Sequence, residues 1–209
     1  DRREQIRSLA AEMFFERGYE STSIRELAAA LDIKAASLYY HFPDKEQILF
    51  ELVGSVLEQL LEGATSLVER QSTPEMQLAA IVVNHVVLHA LRPKETTLGD
   101  SELRSLTGER RAVNIRTRDT YERLVIGVIE RGEHAGAFDV IDAKLTAYAI
   151  IAQSSHVGTW YETSGRLSLD QVTDIHVALA LRMVSCPPVP EAEVRRLARD
   201  VHEFHEQRP

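Results

Sequence analysis

The sequence has little of several features that define specialised protein classes. Its 209 residues include one cysteine, Cys186, which excludes an internal disulfide framework and favours a reducing compartment, the cytoplasm. No apolar run approaches the roughly 18 residues that a membrane-crossing helix needs. A glycine-rich phosphate loop, a Gly-x-Ser-x-Gly nucleophile elbow and a His-Glu-x-x-His motif are also missing. The sequence therefore predicts a non-enzymatic cytoplasmic protein without a cofactor, a metal or a membrane span.

Positive charge is also in deficit, because 24 lysine and arginine residues stand against 32 aspartate and glutamate residues, a net charge of −8. A protein that binds nucleic acid needs positive charge at the phosphates rather than over the whole chain. Residues 1–50 carry 7 basic and 9 acidic residues, so even this part is close to neutral. Charge alone therefore neither supports nor excludes DNA as a partner.

Helical periodicity runs along almost the whole chain, and no strand pattern of any length interrupts it. Gly18, Pro43, Pro74 and Pro93 separate the periodic segments. The sequence begins at Asp1 rather than Met, and we expect a short N-terminal tail before it. The predicted fold class is all-α. After a first helix that ends at Gly18, helices are predicted over about 23–31, 35–41, 45–70, 74–91, 99–105, 108–134, 141–162, 168–185 and 191–206.

One segment has the pattern of a helix-turn-helix. The first helix of this motif starts at Ser23, and the glutamate three residues later completes the pattern of a capping box. Asp32 then occupies a turn that needs a residue tolerant of positive φ. The helix over 35–41 is too short to be stable alone, so it must pack through Leu38 and Phe42. Its outward groups are small, hydroxyl-bearing, phenolic or cationic, which suits entry into a major groove. These outward residues are Lys34, Ala35, Ala36, Ser37, Tyr39, Tyr40 and His41.

This segment resembles the tetracycline-repressor family of bacterial regulators. The resemblance rests on Gly18-Tyr19, on Thr22-Ser23-Ile24-Arg25-Glu26-Leu27-Ala28, and on Leu38-Tyr39-Tyr40-His41-Phe42 followed by Lys45. It implies a dimeric repressor that binds a palindromic operator and is released by a small hydrophobic effector. Two positions depart from the family pattern: Asp32 stands where glycine is frequent, and Lys34 adds a cation. The family implies phosphate contacts for Thr22, Ser23, Tyr40, His41 and Lys45, and groove contacts for Lys34, Ala35, Ala36, Ser37 and Tyr39.

The resemblance also implies two domains, a DNA-binding domain over 1–45 and a ligand-binding and dimerisation domain over 46–209. The helices predicted over 141–162 and 168–185 are apolar on more than one face, which requires a second packing partner. In this family that partner is the same helix pair of another subunit, so we expect a homodimer. The alternative class is a helical ligand-binding or interaction protein without DNA binding, against which the intact recognition segment argues.

Polar side chains on the helices of the second domain are candidates for an effector site. His85 and His89, four residues apart, could bind a metal, line a pocket or simply pack. A stripe on the helix over 108–134 is polar at one end and apolar at the other, which fits either a ligand with a charged head or a helix end in solvent. Aromatic residues near 160 suit an interface or a pocket. The candidate ligand residues are His85, His89, Arg110, Asn114, Thr117, Tyr121, Gln153, His156 and Trp160.

The effector predicted for this site is an elongated apolar molecule with an anionic end, such as a fatty-acyl or steroid-derived coenzyme A thioester. Inward apolar residues such as Leu78 and Ile81 would surround its body, and Arg110 would hold its anionic end. The second domain also resembles the family's regulators of lipid catabolism, in Glu102-Leu103-Arg104 and in Trp160-Tyr161 before Gly165-Arg166-Leu167-Ser168. A neutral drug-like or aromatic effector is the alternative.

Overall fold

The computed structural model describes residues 2–206, and over that range the chain is helical without any strand. The predicted all-α class is confirmed. One 3-10 helix, Leu103–Ser105, accompanies the α-helices. The α-helices are α1 (Arg2–Arg17), α2 (Ile24–Ala30), α3 (Ala35–His41), α4 (Lys45–Glu69), α5 (Pro74–Leu91), α6 (Pro93–Ser101), α7 (Gly108–His134), α8 (Ala143–Ser155), α9 (Val157–Trp160), α10 (Leu169–Met183) and α11 (Glu191–Glu206).

Two predicted helices have different bounds in the structure. The helix expected over 99–105 is α6 followed by the 3-10 helix, because Pro93 occupies a first helical turn, where proline is well tolerated. The helix expected over 141–162 is divided into α8 and α9, with the break at His156. Just before this break the Ser154 hydroxyl donates to the Ile150 carbonyl at 2.8 Å, a backbone contact that often bends helices.

The chain forms two compact units whose boundaries differ from the predicted boundary after residue 45. Unit 1 comprises the residues up to Leu57 together with Lys94–Arg116, and unit 2 comprises Glu58–Pro93 together with the residues from Thr117 onward. The segment 94–116 joins unit 1 because Leu98 and Leu106 belong to the buried apolar cluster of α1, α2, α3 and α4. Helices α4 and α7 each contribute residues to both units.

Unit 2 is organised around α5, which is buried on all sides. Every residue from Leu78 to His89 is buried, and α8, α9, α10 and α11 all pack against this helix. Thr73 caps its N-terminus by accepting a hydrogen bond from the Met76 amide at 3.4 Å. A helix buried all round has no solvent-facing side for its polar residues. The side chains of Asn84, His85 and His89 therefore lie in the interior of unit 2.

Candidate functional site

The helix-turn-helix in unit 1 is built by the local contacts that the sequence predicts. The Ser23 hydroxyl accepts from the Glu26 amide at 3.2 Å, and the Glu26 carboxylate accepts from the Ser23 amide at 2.8 Å, which completes the capping box of α2. Asp32 has a φ of 53°, so the turn between α2 and α3 uses the predicted left-handed conformation. Leu38 and Phe42 are fully buried and hold α3 against the core of unit 1.

Helix α3 presents a polar and aromatic surface to solvent. Tyr40 is 87% exposed and Tyr39 is 52% exposed. The ring of Tyr40 contacts that of His41 edge to face, with 5.3 Å between centroids. Phenol groups this exposed add little to the core of unit 1, and their hydroxyls are accessible to a partner. Among the other residues predicted to face outward, Lys34, Ala36 and Ser37 are exposed, whereas Ala35 and His41 are half-buried.

Thr22 is more deeply buried than the other residues that are predicted to contact phosphate. Its side chain is 1% exposed, and its hydroxyl donates to the carbonyl oxygens of Gly18 at 3.0 Å and Met13 at 3.3 Å. The hydroxyl is enclosed in the turn between α1 and α2, and the phosphate contact of Thr22 stays a prediction. Thr22 shapes that turn, while the neighbouring Ser23 is exposed at the N-terminus of α2.

Lys45 has a bracing role that sequence reasoning missed. Its Nζ donates to the Tyr19 carbonyl at 2.8 Å and lies 4.1 Å from the centroid of the Tyr19 ring. Burial, together with the carboxylates of Glu46, Glu20 and Asp44, raises the pKa of Tyr19 to about 12, so the phenol stays neutral. Lys45 thus ties the start of α4 to the turn after α1. An ammonium has three donors, so this bond leaves donors for a phosphate.

Arg110 is paired with carboxylates at the start of α4. Its Nη1 and Nη2 donate to the two Asp44 carboxylate oxygens at 2.8 Å and 3.0 Å, and Nη1 lies 3.3 Å from the carboxylate of Glu46. The hydrogen bonds from the guanidinium hold the pKa of Asp44 below its usual value. The role of Arg110 as the ligand for an anionic effector end stays a prediction, and in this structure the guanidinium is paired with these carboxylates of unit 1.

A buried polar cluster in unit 2 surrounds His85. Its Nδ1 lies 2.8 Å from the Tyr121 hydroxyl and its Nε2 lies 2.9 Å from the Ser155 hydroxyl. The ring of His89 stacks on that of His85, with 4.3 Å between centroids. Burial lowers the pKa of His85 well below its usual value and raises the pKa of Tyr121. His85 and Tyr121 therefore offer hydrogen-bonding groups without charge at neutral pH.

These contacts do not support the metal interpretation of His85 and His89. Hydroxyl groups engage both ring nitrogens of His85, and Nδ1 of His89 lies 2.8 Å from the His85 carbonyl oxygen. Within residues 2–206, no group of three or more His, Cys, Asp or Glu side chains is placed to hold a metal ion. Of the nine predicted ligand residues, the structure brings His85, His89 and Tyr121 together.

The remaining predicted ligand residues lie in several environments. Trp160 is about half-exposed and stacks on His176, with 6.4 Å between centroids, and Gln153 has a buried amide nitrogen without a described partner. Asn114 is buried but belongs to unit 1. Sequence reasoning missed His176, although a histidine within the apolar segment of α10 was a visible signal. Thr117 is half-buried and His156 is exposed.

Helices α8 and α10 carry an exposed apolar surface, called here the α8–α10 face. The two helices pack against each other in unit 2. Their exposed large apolar residues recur at three- or four-residue spacing, which forms one stripe on each helix. Exposed large apolar residues on two helices that pack together are typical of an interface. The residues of the α8–α10 face are Leu145, Tyr148, Ile175, Leu179 and Met183.

None of the helices described between residues 2 and 206 combines the length and the apolar character that crossing a membrane requires.

Comparisons with known proteins cover both units of the chain. The family model for bacterial regulatory proteins of the tetR family matches residues 6–52, and a tetracyclin repressor-like C-terminal domain matches residues 71–184. The HTH-type transcriptional repressor KstR2 of Mycolicibacterium smegmatis is 27% identical over 183 residues, covering 86% of this chain and 89% of the relative.

Solved structures show the same similarity. A regulatory protein of the tetR family from Rhodococcus RHA1 is 30% identical with a TM-score of 0.83, covering 88% of this chain and 97% of that chain. AibR in complex with isovaleryl coenzyme A and operator DNA is 28% identical with a TM-score of 0.78, covering 86% of this chain and 97% of that chain.

Proposed function

The chain belongs to the tetracycline-repressor family of bacterial regulatory proteins, and we propose that it is a ligand-responsive transcription repressor. The observation that carries the proposal is α3, a short helix fixed in a helix-turn-helix with two exposed tyrosines on its outer surface. In such motifs this helix enters the major groove. The relative KstR2 is named a transcriptional repressor. Because the bacterial chromosome lies in the cytoplasm, the proposal locates the protein there.

We assign two kinds of DNA contact to this surface. Phosphate contacts hold the helix-turn-helix domain, called here the head, in register and carry no sequence information, whereas contacts with base edges select the operator. Helix α3 would insert its small residues and Lys34 into the groove, while the groups around its C-terminus would meet the backbone. The phosphate contacts are assigned to Ser23, Tyr40, His41 and Lys45, and the base contacts to Lys34, Ala35, Ala36, Ser37 and Tyr39.

We propose that the α8–α10 face is the interface of a homodimer, in which the helix pairs of two copies form a four-helix bundle. The support is the exposure of the apolar stripes on both helices, which would otherwise face water. Twofold symmetry relates the two heads, so the recognition helices would meet successive major grooves about 34–36 Å apart. The operator would accordingly be an inverted repeat.

We propose an acyl-coenzyme A or a related apolar molecule as the effector that releases DNA. AibR, which is similar over most of this chain, has been solved with isovaleryl coenzyme A and operator DNA. The neutral cluster of His85, Tyr121 and Ser155 offers hydrogen bonds suited to a carbonyl oxygen. An anionic end would lie away from this cluster, because desolvating a charge beside neutral groups is unfavourable. Release of DNA requires that the effector bind the conformation that holds DNA and the conformation that does not with different affinities.

A mobility-shift titration with duplex DNA from the region upstream of the protein's own gene tests this function. Binding that requires an inverted repeat supports the repressor, and the absence of a shift with every upstream fragment contradicts it in favour of a binding protein without DNA activity. Isovaleryl coenzyme A, a long-chain acyl-coenzyme A, the corresponding free acid and a neutral apolar compound are then added separately. Release by the neutral compound alone contradicts the effector class and leaves the repressor assignment intact.

A further inference from the structure

Two carboxylates lie among the groups that are proposed to contact phosphate. Asp44 precedes Lys45 directly, is half-exposed, and accepts a hydrogen bond from the Gln47 amide at 2.7 Å as the cap of α4. Glu46 follows Lys45 and accepts from the Thr107 amide at 2.7 Å. Both acids therefore have structural roles that hold them in place. Their negative charges would repel the phosphates that the same turn is proposed to bind.

Arg110 is a cation that faces both of these acids. Its two terminal nitrogens donate to both carboxylate oxygens of Asp44, and one of them also lies 3.3 Å from Glu46. A guanidinium keeps its charge at any physiological pH, and its planar fork matches a carboxylate. Because Arg110 is itself half-buried and engaged in these bonds, it is placed to cancel charge rather than to contact DNA.

We propose that Arg110 is a positioning residue of the DNA interface, which acts by offsetting one of the two negative charges of Asp44 and Glu46 so that phosphates can approach Lys45. The inference rests on the proposed DNA-binding function and adds a residue outside the helix-turn-helix to its machinery. It also explains how an acidic cap and an acidic second residue are compatible with a phosphate-binding turn.

The test is operator affinity for a matched set of variants at low salt. Arg110→Gln adds one uncompensated negative charge to each head, and a like charge at about 7 Å from a phosphate in water weakens binding about threefold. Because a dimer uses two heads, we expect about tenfold weaker binding overall. Arg110→Lys retains the charge and should bind almost as well as the wild type. Arg116→Gln, which breaks an exposed pair with Glu109 on the same helix, is the control for net charge.

The decisive variant combines Arg110→Gln with Asp44→Asn. Asparagine caps a helix as well as aspartate does, so the cap of α4 is retained while the repelling charge is removed. We expect operator affinity to return close to the wild-type value, which a merely structural clamp would not produce. The proposal is overturned if Arg110→Gln binds like Arg116→Gln, or if the double variant stays as weak as the single one. Failure of the wild-type protein to bind any upstream DNA would instead count against the proposed function.

Discussion

Replacing Leu179 with glutamate should convert the proposed dimer into a monomer. Leu179 lies in the middle of the α10 stripe on the α8–α10 face and is 39% exposed in the isolated chain. In the proposed dimer this exposed fraction would be covered by the second copy, and the symmetry would bring two such side chains into one interface. A carboxylate at this position would have to lose its water without gaining a partner.

The size of the effect follows from these exposures. Full burial of a leucine side chain is worth about 1.5–3 kcal/mol, so covering the exposed two-fifths contributes about 1 kcal/mol from each copy. Desolvating an unpaired carboxylate costs several kcal/mol more. A total loss of at least about 4 kcal/mol for the two copies weakens the dimer about a thousandfold. Operator affinity should fall with it, because a monomer contacts one half-site.

Sedimentation velocity at micromolar concentration measures the change directly. Leu91→Glu is the matched control, because Leu91 is 42% exposed but lies at the end of α5, outside the α8–α10 face. The control should remain dimeric and bind the operator like the wild type. The reasoning is refuted if Leu179→Glu remains dimeric, or if both variants dissociate to the same extent.

Three further predictions concern the heads and the interior of unit 2. Tyr40→Ala should weaken operator binding at an unchanged melting temperature. Lys45→Ala should lower both the operator affinity and the melting temperature, because Lys45 also contacts Tyr19. An unchanged melting temperature for Lys45→Ala would contradict the bracing role. Gly63→Ala should lower the free energy of unfolding, measured by urea titration, by about 1–3 kcal/mol. The added Cβ would overlap the amide oxygen of Asn84, and this oxygen lies 3.0 Å from Nε2 of His205. Gly127→Ala is the control and should change the free energy of unfolding little, because the added Cβ meets only the flexible end of Arg131. Burial lowers the pKa of His85, so below about pH 6.5 the unfolded chain binds a proton that the folded chain does not. Stability should therefore fall by up to about 1.4 kcal/mol per pH unit as the pH drops below that value, and His85→Gln should reduce the slope in calorimetry.

The helix-turn-helix could be predicted from the sequence because its determinants are local. The capping box joins Ser23 to Glu26, and the positive φ of Asp32 is required by a turn that joins two adjacent helices. Leu38 and Phe42 are separated by one helical turn, so a single stripe positions α3. Each of these features lies within a few residues of its partner, and short-range spacing therefore contains the information.

The contacts that define the two candidate sites are not local, and no spacing rule encodes them. Arg110 and Asp44 are 66 residues apart, and His85 and Ser155 are 70 residues apart. The sequence shows that each residue is polar and on a particular helix, but the partner is determined by how several helices pack. The assignment of Arg110 to an effector followed the polar stripe of α7, and the pairing of the same side chain with Asp44 and Glu46 could not be read from that stripe.

The acidic net charge of the chain is compatible with DNA binding because charge near the head is paired locally. Arg3 donates to the carboxylate of Glu51 and lies over the Phe42 ring, so this acid is matched where α1 meets the end of α3. Arg110 pairs with both Asp44 and Glu46 and offsets one of their two negative charges. A phosphate at the surface of α3 is influenced mainly by charges within about a Debye length, roughly 8–10 Å at physiological salt. Acidic side chains more than a Debye length away are screened, so the pairing of Asp44 and Glu46 with Arg110 is one of the local contributions that set whether the turn at the start of α4 attracts or repels DNA.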